Sequence, residues 1–201
     1  MNIWKLSAGT AAVAGLKTGK LEAPPTTAYI MLGERCRNNC RFCAQSRESK
    51  AKDNLLSRVT WPDFAAEEAA EAVAGCYADG SLRRACLQVV DSGDSLAATL
   101  AALAKLKAKS DVPVCVSCRL ETVEEAKLLI AAGADKVSLA LDAATPELFA
   151  AAKEGDWPAK RRLLGECAKA LPGRVSTHLI VGLGETEEEM VQIIAALLAE
   201  E

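Results

Sequence analysis

Tyr29-Ile30-Met31-Leu32-Gly33-Glu34-Arg35-Cys36-Arg37-Asn38-Asn39-Cys40-Arg41-Phe42-Cys43 runs from a short apolar stretch into a C-x3-C-x2-C cluster. The apolar residues read as a β-strand and the cysteines as the loop at its C-terminal end. Three thiolates so spaced can each hold one iron of a [4Fe–4S] cluster and leave the fourth iron without a protein ligand. Electron-transfer clusters take four cysteines. An open iron binds and activates a small molecule, so the spacing points to catalysis rather than electron storage. Structural zinc fits less well, because it needs four ligands in paired spacing and no second Cys or His pair lies at that distance. Packing cysteines fit less well still, since Arg37, Asn38, Asn39 and Arg41 separate the three and a structural Cys prefers apolar neighbours.

Outward from this loop, strand-like and helix-like segments alternate. Residues 44–60 are polar and loop-like, and Thr60 is placed to cap a helix from about Pro62 to Cys76. Strands are expected at 86–90, 112–117, 136–141 and 175–181. Helices are expected at 96–107, 123–132, 145–153, 158–170 and 185–200. This interval predicts an α/β fold with about five parallel strands, curved or barrel-like, and helices outside. In such barrels chemistry gathers on the loops after the strands, which is where the cysteine loop lies. Residues 1–16 read as a short helix and Pro24-Pro25 as its stop, so 1–26 are expected to form an N-terminal helical extension to a core of 27–201. The Ala12-Val13-Ala14 stretch imitates a secretory leader, but Ser7, Gly9, Thr10 and Gly15 leave it too weakly apolar.

Composition excludes several classes. A chain of 201 residues is one ordinary domain, with net charge −3 and acids and bases interspersed. No basic stripe argues for nucleic acid, and no apolar run approaches the length that spans a membrane. The eight cysteines are too few for a dense disulfide scaffold. Their clustering favours a reducing, cytoplasmic setting in which thiolates remain available for metal.

Cys36 to Ser46, with an aromatic before the last cysteine and Gln45-Ser46 after it, together with Ile180-Val181-Gly182-Leu183-Gly184-Glu185-Thr186, resembles the radical S-adenosylmethionine (SAM) superfamily. Within it, the chain is similar to the biotin-synthase-like group, which includes the two-protein lipoyl synthases. The resemblance covers residues 27–201 and implies a partial (βα)6 barrel that lacks its sixth strand, so that the chain is a fragment or is completed by a partner chain. It implies a [4Fe–4S] cluster on Cys36, Cys40 and Cys43 whose open iron chelates the amino and carboxylate groups of SAM. One electron then yields methionine and a 5′-deoxyadenosyl radical that activates a C–H bond, with flavodoxin or ferredoxin as electron donor.

The cofactor residues that the resemblance implies are Phe42, the segment Gln88-Val89-Val90 facing the methionine amine, Asp142 reaching the ribose, Gly182 and Glu185. Two departures stand out. The strand-two segment is not the family's Gly-Gly-Glu-like run, and Ala140 replaces an asparagine that helps Asp142. Asp142 and Glu185 each have a plainer reading, as a turn former and as a carboxylate at a helix N-terminus. Cys86 and Cys115 match two ligands of an auxiliary, sulfur-donating cluster. Ser176 stands at the third position, and Cys118 is a substitute only if it escapes the alternation of its strand. His178, the single histidine, shares parity with Ser176 and Ile180; a hydrogen-bonded core role is the expectation. Arg119 and Glu121 read as loop charges, and Cys76 and Cys167 as packing residues.

The leading expectation is a biotin-synthase-like radical enzyme acting on a small molecule, with sulfur insertion into biotin or a lipoyl- or octanoyl-type precursor as the subtype. A mutase or lyase without a second cluster, and a non-catalytic iron–sulfur or zinc module, are the alternatives.

Overall fold

The computed structural model describes residues 3–199. Strand β2 (Thr27–Leu32) is followed in parallel order by β6 (Arg84–Val89), β7 (Val114–Ser117), β8 (Lys136–Ser138) and β9 (Val175–Ser176). Alternation sorts these strands into two faces. Ala28, Ile30 and Leu32 pair with Ala85, Leu87 and Val89, and the apolar rows continue through Val114, Val116, Val137 and Val175. This face packs on α2 (Ala66–Ala78), α3 (Ser95–Lys107), α4 (Val123–Ala131) and α6 (Trp157–Ala170) through Val73, Leu103, Leu106, Leu129 and Cys167. Each fully buried Leu or Val there contributes on the order of 1.5–3 kcal/mol.

The other face is built differently. Tyr29, Cys86, Cys115 and Lys136 form one cross-strand row, and Met31, Gln88, Ser117, Ser138 and Ser176 form the next. Its polar content marks a surface turned towards a ligand rather than a helix. Mixed α/β architecture and the five expected parallel strands are therefore present.

Two further strands were not legible. β1 (Ile3–Leu6) runs antiparallel beside β2, and β5 (Asp63–Ala65) lies antiparallel beside β1, giving the sheet order β5-β1-β2-β6-β7-β8-β9. The expected helix over 1–16 is thus corrected: Met1 and Asn2 lie outside the described residues, 3–6 are strand, and only Ala8–Val13 form a helix, α1. Pairing on both sides decides this, with Trp4 opposite Phe64 and Leu6 opposite Ile30. Lys5 is buried, and its ammonium meets Asp53 at 3.2 Å. Thr60 does not cap a helix either. It belongs to β4 (Val59–Thr60), which pairs with β3 (Leu55–Leu56) in a small hairpin, and α2 starts only at Ala66.

β8 and β9 stop earlier than expected. Thr177 explains this: its hydroxyl donates to Leu139 O at 2.7 Å and accepts from Leu141 N at 3.2 Å, replacing ladder bonds with side-chain ones. Helix α5 (Pro146–Ala152) follows β8, and α7 (Glu187–Leu198) closes the described chain behind a Thr186–Glu189 capping box. Glu200, the expected end of that helix, and Glu201 lie outside the described residues.

Gly33 joins β2 to the cysteine loop with φ +90, and a Cβ there would stand 2.9 Å from Val90 O. Gly33→Ala is expected to destabilise the fold by at least about 1 kcal/mol, from left-handed strain plus the backbone clash. Urea unfolding checks this, and an unchanged midpoint refutes it.

Candidate active site

Loops leaving the C-terminal ends of β2, β6, β7, β8 and β9 converge on one cavity of about 450 Å³, and Cys36, Cys40 and Cys43 all line it. The cysteine loop is held by its own backbone. Cys36 N–H donates to Gln45 O at 3.0 Å, Arg47 N–H to Asn38 O at 2.8 Å and Arg41 N–H to Ala152 O at 2.9 Å. Gln45 is buried, and its amide ties the loop to Asp53 O and Leu55 O at 2.8 and 2.7 Å. Arg35 donates to Ala44 O and Ala51 O at 2.9 and 2.8 Å. These bonds fix the three thiols before any ligand arrives.

Asp91 is the hub beside them, and its side chain is nearly fully buried. Arg37 Nε lies 2.9 Å from Oδ1, Asn38 Nδ2 donates to Oδ2 at 2.8 Å, and Arg119 stands 3.6 Å away. Arg119 also donates to Asn38 Oδ1 at 2.8 Å and to Glu121 at 2.5 Å. On the far wall, buried Asp142 holds φ +67, unusual for a non-glycine residue. Its carboxylate takes His178 Nε2 at 2.8 Å and the Lys153 ammonium. The backbone locks the pair: Asp142 N–H donates to His178 O, and Ile180 N–H to Asp142 O.

The Radical SAM superfamily description matches residues 30–197. This chain belongs to the radical SAM superfamily. No curated protein matches it in sequence. Among solved structures it is similar to the FeFe-hydrogenase maturase HydG from Carboxydothermus hydrogenoformans, at 18% identity and a TM-score of 0.69 over 87% of this chain and 41% of that one. It is also similar to methylornithine synthase (PylB), at 14% identity and TM-score 0.69 over 87% of this chain and 50% of the other. The radical SAM chain therefore spans half or less of the length of these two neighbours.

A radical SAM protein requires a [4Fe–4S] cluster and SAM, and the donor set here fits both. Burial pushes the Cys40 thiol up while Lys153 pulls it down, and the neighbouring cysteines add mutual repulsion. Cys43 is likewise raised by burial, against N–H donation from Gln45 and Ser46. A bound cation would offset that burial, because it stabilises the thiolate form. Asn38 N–H and its amide lie 3.4 and 3.5 Å from Cys36 Sγ. Among the described residues no three His, Cys, Asp or Glu side chains close to single-ion distance. Thiolates serving separate corners of a cubane stand farther apart than that.

The remaining expected residues divide. Phe42, Gln88, Val89, Val90 and Asp142 line the cavity, as do Arg119 and His178. Gly182 and Glu185 are not among its lining residues. Glu185 instead accepts from Gly182 N–H and from Leu183 N–H at 2.9 Å, holding the turn before α7, whose N-cap is Thr186. His178 is no core histidine: half of its side chain is exposed, because Asp142 holds the ring at the cavity wall.

The three candidate auxiliary cysteines are split. Cys86 and Cys115 are register partners on β6 and β7, whereas Cys118 lies past the end of β7, lines the cavity and also packs against the main core. Burial, with Glu125 and Asp91 nearby, pushes the Cys118 thiol up to about 12. The strand ends at Ser117, so Cys118 escapes its alternation and lines the same cavity as Gln88 and Ser117. Cys76 and Cys167 are buried in helices, as expected.

Sequence reasoning missed Asp91 as a hub and both Lys153 and Lys160 as cavity residues. Burial lowers the Lys160 pKa, and Lys153 and Arg119 lower it further. Asp91 directly follows the Gln88-Val89-Val90 segment, but the lysines carried no motif.

Proposed function

We propose that this chain is the cofactor-binding core of a radical SAM enzyme of the biotin-synthase-like group. One observation carries the reading: Cys36, Cys40 and Cys43 share a cavity whose remaining walls offer groups suited to each part of SAM. Cluster and SAM together supply one-electron cleavage of the sulfonium and a carbon radical able to abstract hydrogen. The chain's own residues bind and orient. Gln88, Val89 and Val90 flank the methionine amine, and Lys160 is the desolvated cation available to its carboxylate. Asp142, aligned by His178 and Lys153, faces the ribose. Leu141, Leu139 and Leu163 exclude water from the same space.

Flavodoxin or ferredoxin supplies the electron, and the substrate is a small molecule, with a lipoyl- or octanoyl-type chain as one candidate. No described helix is long and apolar enough to cross a membrane. All eight cysteines are free thiols, which suits the cytoplasm. Ser176, not a cysteine, continues the Gln88–Ser117–Ser138 row on β9, which favours a second reading of the subtype, a mutase or lyase with no auxiliary cluster.

Anaerobic reconstitution followed by reduction is expected to yield about four irons per chain and equal amounts of methionine and 5′-deoxyadenosine from SAM. Zinc without iron, or a loaded cluster that leaves SAM intact, sinks the proposal. Six to eight irons (roughly) would restore sulfur insertion as the subtype.

A further inference from the structure

Cys86 and Cys115 sit side by side on adjacent parallel strands, on the sheet face turned away from the helices. Neighbouring strands run about 4.8 Å apart, inside the roughly 4.4–6.8 Å Cα window that a disulfide needs. Gln88 Nε2 lies 3.1 Å from Cys86 Sγ. Arg84 shares the β6 face with Cys86, two positions earlier in the strand. Cys86 is buried, while Cys115 is half-buried and borders exposed Lys136 in its row. The pair lies one row below Gln88 and Ser117, which line the cofactor cavity.

We propose that Cys86 and Cys115 form a redox-active dithiol that closes to a disulfide by exchange with low-molecular-weight disulfides. Because Cys86 is buried and Cys115 is the half-buried member of the pair, Cys115 is the attacking residue. Its sulfur attacks one sulfur of the small disulfide, forming a mixed disulfide and releasing one thiolate. The Cys86 sulfur then attacks Cys115 Sγ and expels the second thiolate, and the Cys86 proton leaves with it or to solvent. Two protein thiols are oxidised and one small disulfide is reduced to two thiols, so the exchange balances. Intracellular disulfides of this transient kind serve redox sensing rather than stability.

The test treats the reconstituted protein anaerobically with oxidised glutathione, alkylates the remaining thiols and maps tryptic peptides by mass spectrometry. Cys115 and Cys118 fall on one peptide, Ser110 to Arg119, so Cys118→Ser is run in parallel to assign the bond. A dithiothreitol-reversible Cys86–Cys115 link is expected in both proteins. Cys86→Ser is expected to trap glutathione on Cys115, and Cys115→Ser to leave Cys86 unmodified. Glutathione trapped on Cys86 instead, a link that disappears with Cys118→Ser, or free alkylation of both cysteines after oxidation each overturns the proposal. So does protection of the pair by iron beyond the four of the first cluster.

Discussion

Cys40→Ala is expected to reduce SAM cleavage to background and to leave the chain unable to retain a four-iron cluster. Cys40 stands where the cysteine loop meets the Asp142–Lys153 wall, since Lys153 and Asp142 are its charged neighbours. On the proposed reading, only two thiolates would then remain to hold the cluster. The loss in turnover should exceed about 100-fold, beyond the roughly 10–100-fold range typical of losing a residue that only hydrogen-bonds a metal ligand. Iron and sulfide content, together with 5′-deoxyadenosine yield, measure it. Cys76→Ala is the matched control. That thiol is buried in α2 and contacts Val13 O at 3.6 Å, so its removal should weaken packing and leave iron content unchanged. Equal iron loss in both variants would mean that unfolding, not ligation, was being read.

Asp142→Asn is expected to weaken SAM binding by roughly 10- to 150-fold, the equivalent of about 1.5–3 kcal/mol for a hydrogen bond to a charged group. Asn keeps the shape and tolerates the φ of +67, so the substitution isolates the charge. The carboxyl is caught between opposing effects. Burial works to raise its pKa, and His178 and Lys153 outweigh this and hold it below the usual Asp range. A depressed carboxyl contributes stability that is complete above the ordinary Asp pKa and fades as pH falls through the lowered folded value. The wild-type advantage over Asp142→Asn should therefore persist at neutral pH and shrink only in strong acid. Equilibrium dialysis of SAM against the reconstituted proteins gives the affinity. If Asp142 were merely a clamp for His178 and Lys153, Asp142→Asn would lower the melting temperature and leave the SAM Kd unchanged. That result would remove Asp142 from the cofactor site.

How much of this site was legible depends on how local each determinant is. The cysteine motif, the polar segment Gln88 to Asp94 and the Leu141-Asp142 step are contiguous in sequence, and each ends up on the cavity because each follows a strand. Lys153 directly follows α5 and Lys160 lies in α6, both between β8 and β9. Nothing in their neighbourhood distinguishes them from surface lysines until α5 and α6 fold over the strand ends. Glu185 shows the opposite failure: a carboxylate in a suggestive motif was claimed by the nearest backbone N–H groups, as short-range geometry allows.

The N-terminus makes the same point for the fold. Ile3–Leu6 have no period that separates helix from strand over four residues, and the choice falls to β2 and β5, which present edges to pair with. By its order of residues alone, the chain specifies an α/β alternation and a three-thiolate loop after a strand, because both are patterns of near neighbours. Which carboxylate anchors the loop, which cation faces the cofactor, and which cysteines meet across the sheet depend on strand register and helix packing. Those are settled only when segments distant in sequence, such as Asn39 and Glu154 or Cys86 and Cys115, are brought together by burial of the apolar face.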